Sequence, residues 1–255
     1  MDTMTFLKTI LYVPLYNGLV FLISAMPGHD VGLAIIILTM IVRVILFPLG
    51  QKAARSQLAL RELEPEIKKV KEQYKTKEEQ AKKTFELYKK HKVNPFSSCL
   101  LALIQLPIII ALYYVFFKGL GFNEDILYSF VQHPETLNFN FLGLIDLGGK
   151  SLTLALLAGA TQFIQSSISF PKHKHGSTPA GGDFKENFAK SMQMQMKYIF
   201  PVMLAFIAYQ ISGAVALYLI VSNMFMIAQE LVVRRQFKKE QVKNHQSHEL
   251  RGNQK

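Results

Sequence analysis

Arg43 is the one charged residue in the stretch LTMIVRVILFPLG, residues 38–50. A guanidinium keeps its positive charge at any ordinary pH and offers five donors in a rigid fork, so in a poorly hydrated place it is an anion receptor. Neutral polar side chains interrupt the other apolar runs: Gln105, Gln162, Gln165, Tyr209, Ser222, Asn223 and Gln229. Singly, each reads as a helix–helix hydrogen bond. Together with Arg43 they could line a wet cavity, and the candidate binding site is therefore Arg43, Gln105, Gln162, Gln165, Tyr209, Ser222 and Asn223. Its chemistry is reversible capture of a carboxylate or another anion. No bond needs to break.

Catalysis is not expected. The apolar runs contain no Asp and no His, and Glu230, at a helix end, is their one acid. There is no HExxH pair, no phosphate-binding P-loop and no GxSxG elbow. His173 and His175, like His245 and His248, lack a third ligand nearby, so no metal and no cofactor is expected. Cys99 is the single cysteine and cannot form an internal disulfide.

The elements that must position these residues follow from how charge is distributed. The chain is 50% hydrophobic and only 18% charged, yet carries a net charge of +11. Soluble domains usually hold about 25% charged residues. Long uncharged runs alternate with dense basic ones, a segregation that fits a membrane protein rather than a nucleic-acid binder. A bilayer core of roughly 30 Å needs about 20 helical residues to cross. Runs at 31–50, 96–117 and 151–171 meet that length, and the run at 198–229 is divided at QISGA (210–214) into spans at 197–211 and 214–233. The expectation is an all-α, polytopic membrane protein with five core spans.

Orientation comes from the loops. Residues 51–95 hold 13 Lys and Arg, the 171–197 loop five and the tail after Leu231 seven, whereas 118–150 holds Lys118 and Lys150 against four acids. The positive-inside rule then puts the first three in the cytoplasm and the 118–150 loop and the 210–214 turn outside. The N-terminal region, 1–30, carries an apolar run at 9–26 broken by Pro14 and Asn17-Gly18. It could lie in the outer interface, span, or be a cleaved signal. Asn17 and Ser24, seven apart, give it a thin polar stripe.

Residues 51–95 read as a cytoplasmic helical hairpin. Leu60, Leu63, Ile67, Val70 and Tyr74 make one apolar stripe, and Ala81, Phe85 and Tyr88 a matching one. Pro65 either kinks or restarts the first arm, and Thr76 with Glu79 forms a capping box for the second. The basic tail, 234–255, is polar enough to be disordered, and the loop at 172–196 completes the cytoplasmic side.

An arginine in mid-span costs about 2.5–3.5 kcal/mol on insertion scales. Three situations would sustain Arg43. It could snorkel about 13 Å to the level of Lys52, nine residues on. It could pair with Glu230. Or it could face a water-filled recess open to the cytosol and meet an acid from another molecule.

TMIVRVILFPL, KVNPFSSCLLALIQLPIIIALYY and MKYIFPVMLAFIAYQISGAVALYLIVSNMFMIAQ resemble the signature segments of the YidC family of membrane protein insertases, with its mitochondrial and chloroplast relatives, over residues 10 to 235. That resemblance implies a five-helix core with a hydrophilic groove open to cytosol and lipid, Arg43 as the groove arginine, a cytoplasmic hairpin needed for function and an outer interfacial helix. It implies a bacterial plasma membrane protein without a large outer domain. Its partners would be nascent membrane proteins and lipids, with the ribosome and a Sec-type translocon as further candidates and no small-molecule substrate. Two competing classes are a small transporter or channel for an anionic solute, and a scaffold that only docks ribosomes.

Overall fold

The computed structural model describes residues 8–74, 76–91, 93, 126–132, 134, 136–169 and 194–252, with the backbone alone for Lys8, Lys71, Lys77 and 243–252. The expected span at 96–117, with Gln105 and Cys99, and most of the 172–196 loop lie outside the described residues. What is described is mostly helical.

After a π-helical turn, Lys8–Tyr12, helix α1 runs over Val13–Ala25 with Pro14 in its first turn. Its apolar face (Leu19, Val20 and Ile23, each fully buried) packs on α2. Its polar stripe faces the 126–132 segment. Asn17 is buried, its Nδ2 donates to the carbonyl of Ile126 at 2.8 Å, and its Oδ1 accepts from the Tyr128 amide at 2.7 Å. Ser24 donates to the Gln132 carbonyl at 2.8 Å.

Helix α2, Val31–Ile45, starts on Asp30, whose carboxylate accepts from the Leu33 amide at 3.0 Å. It stops at Leu46, earlier than the expected boundary at 50. Pro48 explains the difference: in an unbroken helix its ring would meet the Val44 carbonyl. The chain bends by 62° there. Pro48 then sits in the first turn of α3, Phe47–Gln73, where no intrahelical N–H is lost. Helix α3 runs on through Pro65 to Gln73.

Helix α4, Lys77–Lys90, returns alongside α3 and begins at Thr76, whose hydroxyl accepts from the Glu79 amide. Gln80 donates to the Tyr74 carbonyl at 2.6 Å, and His91 of the return arm meets Glu66 of the first at 3.5 Å. The inward face of α4 differs from the expected stripe. Ala81 and Phe85 are exposed, and Gln80, Lys83, Thr84, Leu87 and Tyr88 are the half-buried set. Anchoring Gln80 on the turn rotates that face inward.

The chain is not wholly α. Strands β1 (Asn140–Phe141) and β2 (Ile145–Asp146) pair antiparallel, in register Asn140 with Asp146. This segment threads between two helix starts and supplies partners for amides that no helix can satisfy itself. The Val31 amide donates to the Asn138 carbonyl, Gly213 to Gly149 and Ala214 to Leu147. Leu147 is fully buried there.

Helix α5, Leu152–Ser169, packs against α6, Phe200–Ile211, and α7, Gly213–Gly252. Small residues allow the close approach: a Cβ added to Gly159 would lie 2.9 Å from the Ala205 Cβ. Gly159→Leu should therefore lower stability by about 1–3 kcal/mol, the usual cost of overpacking. Thermal unfolding in detergent checks it.

Ser212 breaks the 198–229 run with an extended backbone. Beyond it, α7 stays helical to Gly252, where a disordered tail is expected from composition. Side-chain pairs to α3 support the extension: Gln51 with Gln236 at 3.2 Å, Arg55 with Glu240 at 3.0 Å, and Gln241 with Glu62. The offset between partners is 185 residues for the first two pairs, so the two helices run side by side in parallel.

Among the described residues, one helix alone is long and apolar enough to cross a membrane, Gly213–Val242, and the bent pair α2–α3 passes the same test jointly. Val44, Ile45, Leu156, Val202, Phe206 and Met224 are each about half exposed or more. So much outward-facing apolar surface is unusual for a protein in water.

Candidate functional site

The bend after α2 puts Arg43, one turn before Leu46, at the wall of an open recess. Arg43, Gly50, Gln165, Ser169, Gln229 and Glu230 line it, and it opens to solvent. It is therefore built by α2 and α3 on one side, α5 on the second and α7 on the third.

The Arg43 side chain is only 8% exposed. Its Nε donates to the Ser222 hydroxyl at 2.8 Å, its Nη2 reaches the same oxygen, and the Tyr218 hydroxyl also interacts with the guanidinium. Burial against α7 is not the outstretched pose of a snorkelling arginine. Glu230 lines the same recess, but its carboxylate is held by Arg234 at 3.0 Å, one turn on in α7.

On α5, Gln162, Gln165, Ser166 and Ser169 follow helical spacing on one buried face. Gln162 Nε2 donates to Gln165 Oε1 at 3.2 Å, and Gln165 Nε2 donates to Ser169 Oγ at 3.0 Å. This amide and hydroxyl ladder runs along α5 to the recess, whose wall Gln165 and Ser169 line.

The other expected residues separate. Asn223 is buried but turns to α5, donating to Thr161 Oγ1 at 3.2 Å and to the Ala158 carbonyl at 3.5 Å. It joins helices and does not line the recess. Tyr209 lies near the far end of α6, with the Lys150 ammonium 5.7 Å from its ring centroid. It belongs with the 137–150 segment. Gln105 lies outside the described residues.

Several residues at the site were not expected. Gln229, counted among the polar residues that could line a cavity but left out of the candidate site, carries a recess wall and donates to the Phe47 carbonyl at 2.8 Å, tying α7 to the bend. Arg61 of α3 and Arg234 of α7 converge on the last turn of α5. Arg61 Nη2 donates to the Ile168 carbonyl at 2.8 Å and to that of Ser169, and Arg234 donates to Ile168 as well. The end of a helix leaves carbonyls without partners and carries partial negative charge, so two guanidiniums there are stabilising. Burial, and next the proximity of Arg234, push the Arg61 pKa below its ordinary value, while Glu230 and Glu64 act in the opposite sense. The Ser166 and Ser169 positions were legible as a continuation of the 162–165 spacing. Nothing in the sequence marked Arg61 apart from other hairpin cations.

Known proteins place the chain in a family. Residues 22–241 match the family model described as 60Kd inner membrane protein. The chain is 32% identical over 210 residues to the membrane protein insertase YidC of Clostridium tetani, covering 82% of this chain and 84% of that protein. It is 30% identical over 225 residues to the insertase MisCA of Bacillus subtilis, covering 86% of this chain and 76% of the relative. A crystal structure of an active YidC insertase with its first transmembrane domain resolved superimposes with a TM-score of 0.52 at 22% identity, over 85% of this chain and 45% of that one, a likeness of fold. Proteins so named are insertases, not catalytic enzymes. The matched region takes in the bend, the recess and the hairpin, and the chain belongs to the 60Kd inner membrane protein family of YidC-type membrane protein insertases.

Proposed function

We propose that this chain inserts nascent transmembrane segments into the bilayer by way of the Arg43 recess, without nucleotide hydrolysis. The observation that carries the reading is a buried guanidinium on the wall of an open recess, with neutral amides and hydroxyls around it. A translocating tail, often acidic, enters from the cytosol and exchanges water for Arg43 and the α5 ladder. Inside a partly desolvated recess such a contact is stronger than it would be in water. The apolar part of the client meanwhile passes into lipid along the spans at 96–117 and 197–211. Burial of its apolar side chains supplies the driving force.

The five-span core, the N-terminal interfacial helix and the cytoplasmic placement of α3, α4 and the end of α7 belong to the same proposal, resting on the loop charges and the positive-inside rule. A π-helical turn, Gln195–Ile199, leads without a break into α6 and lengthens that passage beyond the 12 residues of the α-helix itself. Nascent membrane proteins and lipids are the partners. The ribosome is a further one, met through the basic hairpin and tail by phosphate attraction, and a Sec-type translocon another.

Thiol labelling tests the recess. In a Cys99→Ser background, Gln165→Cys should react with a membrane-impermeant reagent added from the cytoplasmic side, and Gln162→Cys more slowly. Tyr209→Cys should be silent from that side. Equal silence at 162 and 165 would mean dry helix packing and sink the recess reading. A solute-flux assay in liposomes run beside an insertion assay separates an insertase from an anion channel.

A further inference from the structure

We propose that the tip of the β1–β2 hairpin, Leu142 to Leu144, is a lipid-contact site seated in the leaflet opposite the α3–α4 hairpin. The hairpin lies at the start of α2 and α7, whereas α3 begins at the other end of α2, so the two hairpins occupy opposite ends of the bundle. That leaflet is the outer one in the orientation given above.

The tip is apolar where a water-facing turn would be polar. Leu142 is 62% exposed and Leu144 84%. The Leu144 amide donates to the Phe141 carbonyl at 3.0 Å, and the two central residues of that turn, Leu142 and Gly143, have φ of +52° and +70°. Two positive φ values in a hairpin turn call for Asn-Gly, Asp-Gly or Gly-Gly. Leucine in the left-handed region is strained, and strain kept at an exposed position points to a use for the side chain.

The tip is also fixed in place. Asp30, the cap of α2, accepts the Leu142 amide at 3.3 Å through its second carboxylate oxygen. The Phe141 ring fills the space over Gly32, where an added Cβ would lie 2.2 Å from it. The same segment runs through Ser151 into α5, whose Leu152 and Leu156 are exposed at 61% and 62%. The segment that carries the tip thus leads into a helix that also turns apolar side chains outward.

Lipid is the occupant this surface fits. Two leucine side chains fall far short of the roughly 1,000 Å² that a specific protein interface needs, but a bilayer accepts any apolar protrusion. The chain has no tryptophan to serve as an interfacial anchor on this side. Seated leucines would fix the depth of the segment that closes the ends of α2 and α7. The inference rests on the chain being membrane-embedded and not on the Arg43 recess, so neither stands or falls with the other.

The absence of native tryptophan makes the test direct. Leu144→Trp in the full chain, reconstituted into phosphatidylcholine–phosphatidylglycerol vesicles, should emit to the blue of Val242→Trp, a reference on the exposed cytoplasmic end of α7. Brominated acyl chains should quench it at least twofold more than they quench the reference, and aqueous iodide less. Water-like emission with iodide quenching equal to the reference overturns the proposal. Protection from both quenchers, varying with the protein-to-lipid ratio, overturns it in favour of contact between copies. If the tryptophan variant does not fold, a nitroxide on Leu144→Cys in a Cys99→Ser background gives the same answer. Relaxation by oxygen over a nickel chelate supports lipid contact, and the reverse order refutes it.

Discussion

Arg43→Ala should lower insertion of clients with acidic translocated tails by about tenfold, the equivalent of one charge-assisted hydrogen bond of roughly 1.5 kcal/mol. Arg43→Lys should retain part of the activity, because it keeps the charge but loses the fork that engages Ser222 through both Nε and Nη2. Clients with neutral tails should be affected least. The measurement is complementation of an insertase-depleted strain, paired with insertion into proteoliposomes. Thermal stability separates function from folding. Relief from burying a charge is offset by the cavity and by the loss of the guanidinium from the buried Ser222 and Tyr218 hydroxyls, so the alanine variant should melt close to the parent. Equal rescue by the parent and the alanine variant for acidic-tailed clients would end the electrostatic reading.

Removing Arg234 should have the largest structural effect. Its side chain is about one-third exposed, whereas the Glu230 carboxylate it holds at 3.0 Å is nearly fully buried. Arg234→Ala leaves that carboxylate without its partner and takes a donor from the end of α5. Breaking a buried pair from one side costs about 3–5 kcal/mol. Arg61 remains within electrostatic reach of Glu230, so the expected loss is about 2–4 kcal/mol, read as a drop in melting temperature in detergent. Glu230→Gln should cost clearly less, since Arg234 keeps solvent and the Ile168 carbonyl. The double variant Glu230→Leu with Arg234→Met should recover most of the loss. A mild Arg234→Ala and a severe Glu230→Gln would reverse the argument.

Much of the fold was legible because its determinants are local. Thr76 with Glu79 and the break before Gly213 each act within a few residues. Where local signals compete, the sequence misled. Composition favoured a disordered tail, but pairing with α3 at Arg55–Glu240 and Gln51–Gln236 is a contact 185 residues away. The spacing of Ala81, Phe85 and Tyr88 gave a real stripe, yet Gln80 on the Tyr74 carbonyl decided which face turns inward.

The same division holds at the site. A fixed positive charge in an apolar run, with almost no acids in any other, can be read from the residues alone, since charge and hydropathy belong to them. So can the set of residues that share the α5 face, because helical spacing needs no partner. Who meets whom came from packing. It joined Gln162 and Gln165 in one ladder and put Gln165 on the recess wall with Arg43, turned Asn223 to a helix contact and left Tyr209 beside Lys150. It gave Glu230 to Arg234, and it brought Arg61 from the hairpin to the end of α5. Side-chain type fixes what a group can bind. Which group it binds depends on helix rotation and crossing, set by packing between segments far apart in the chain.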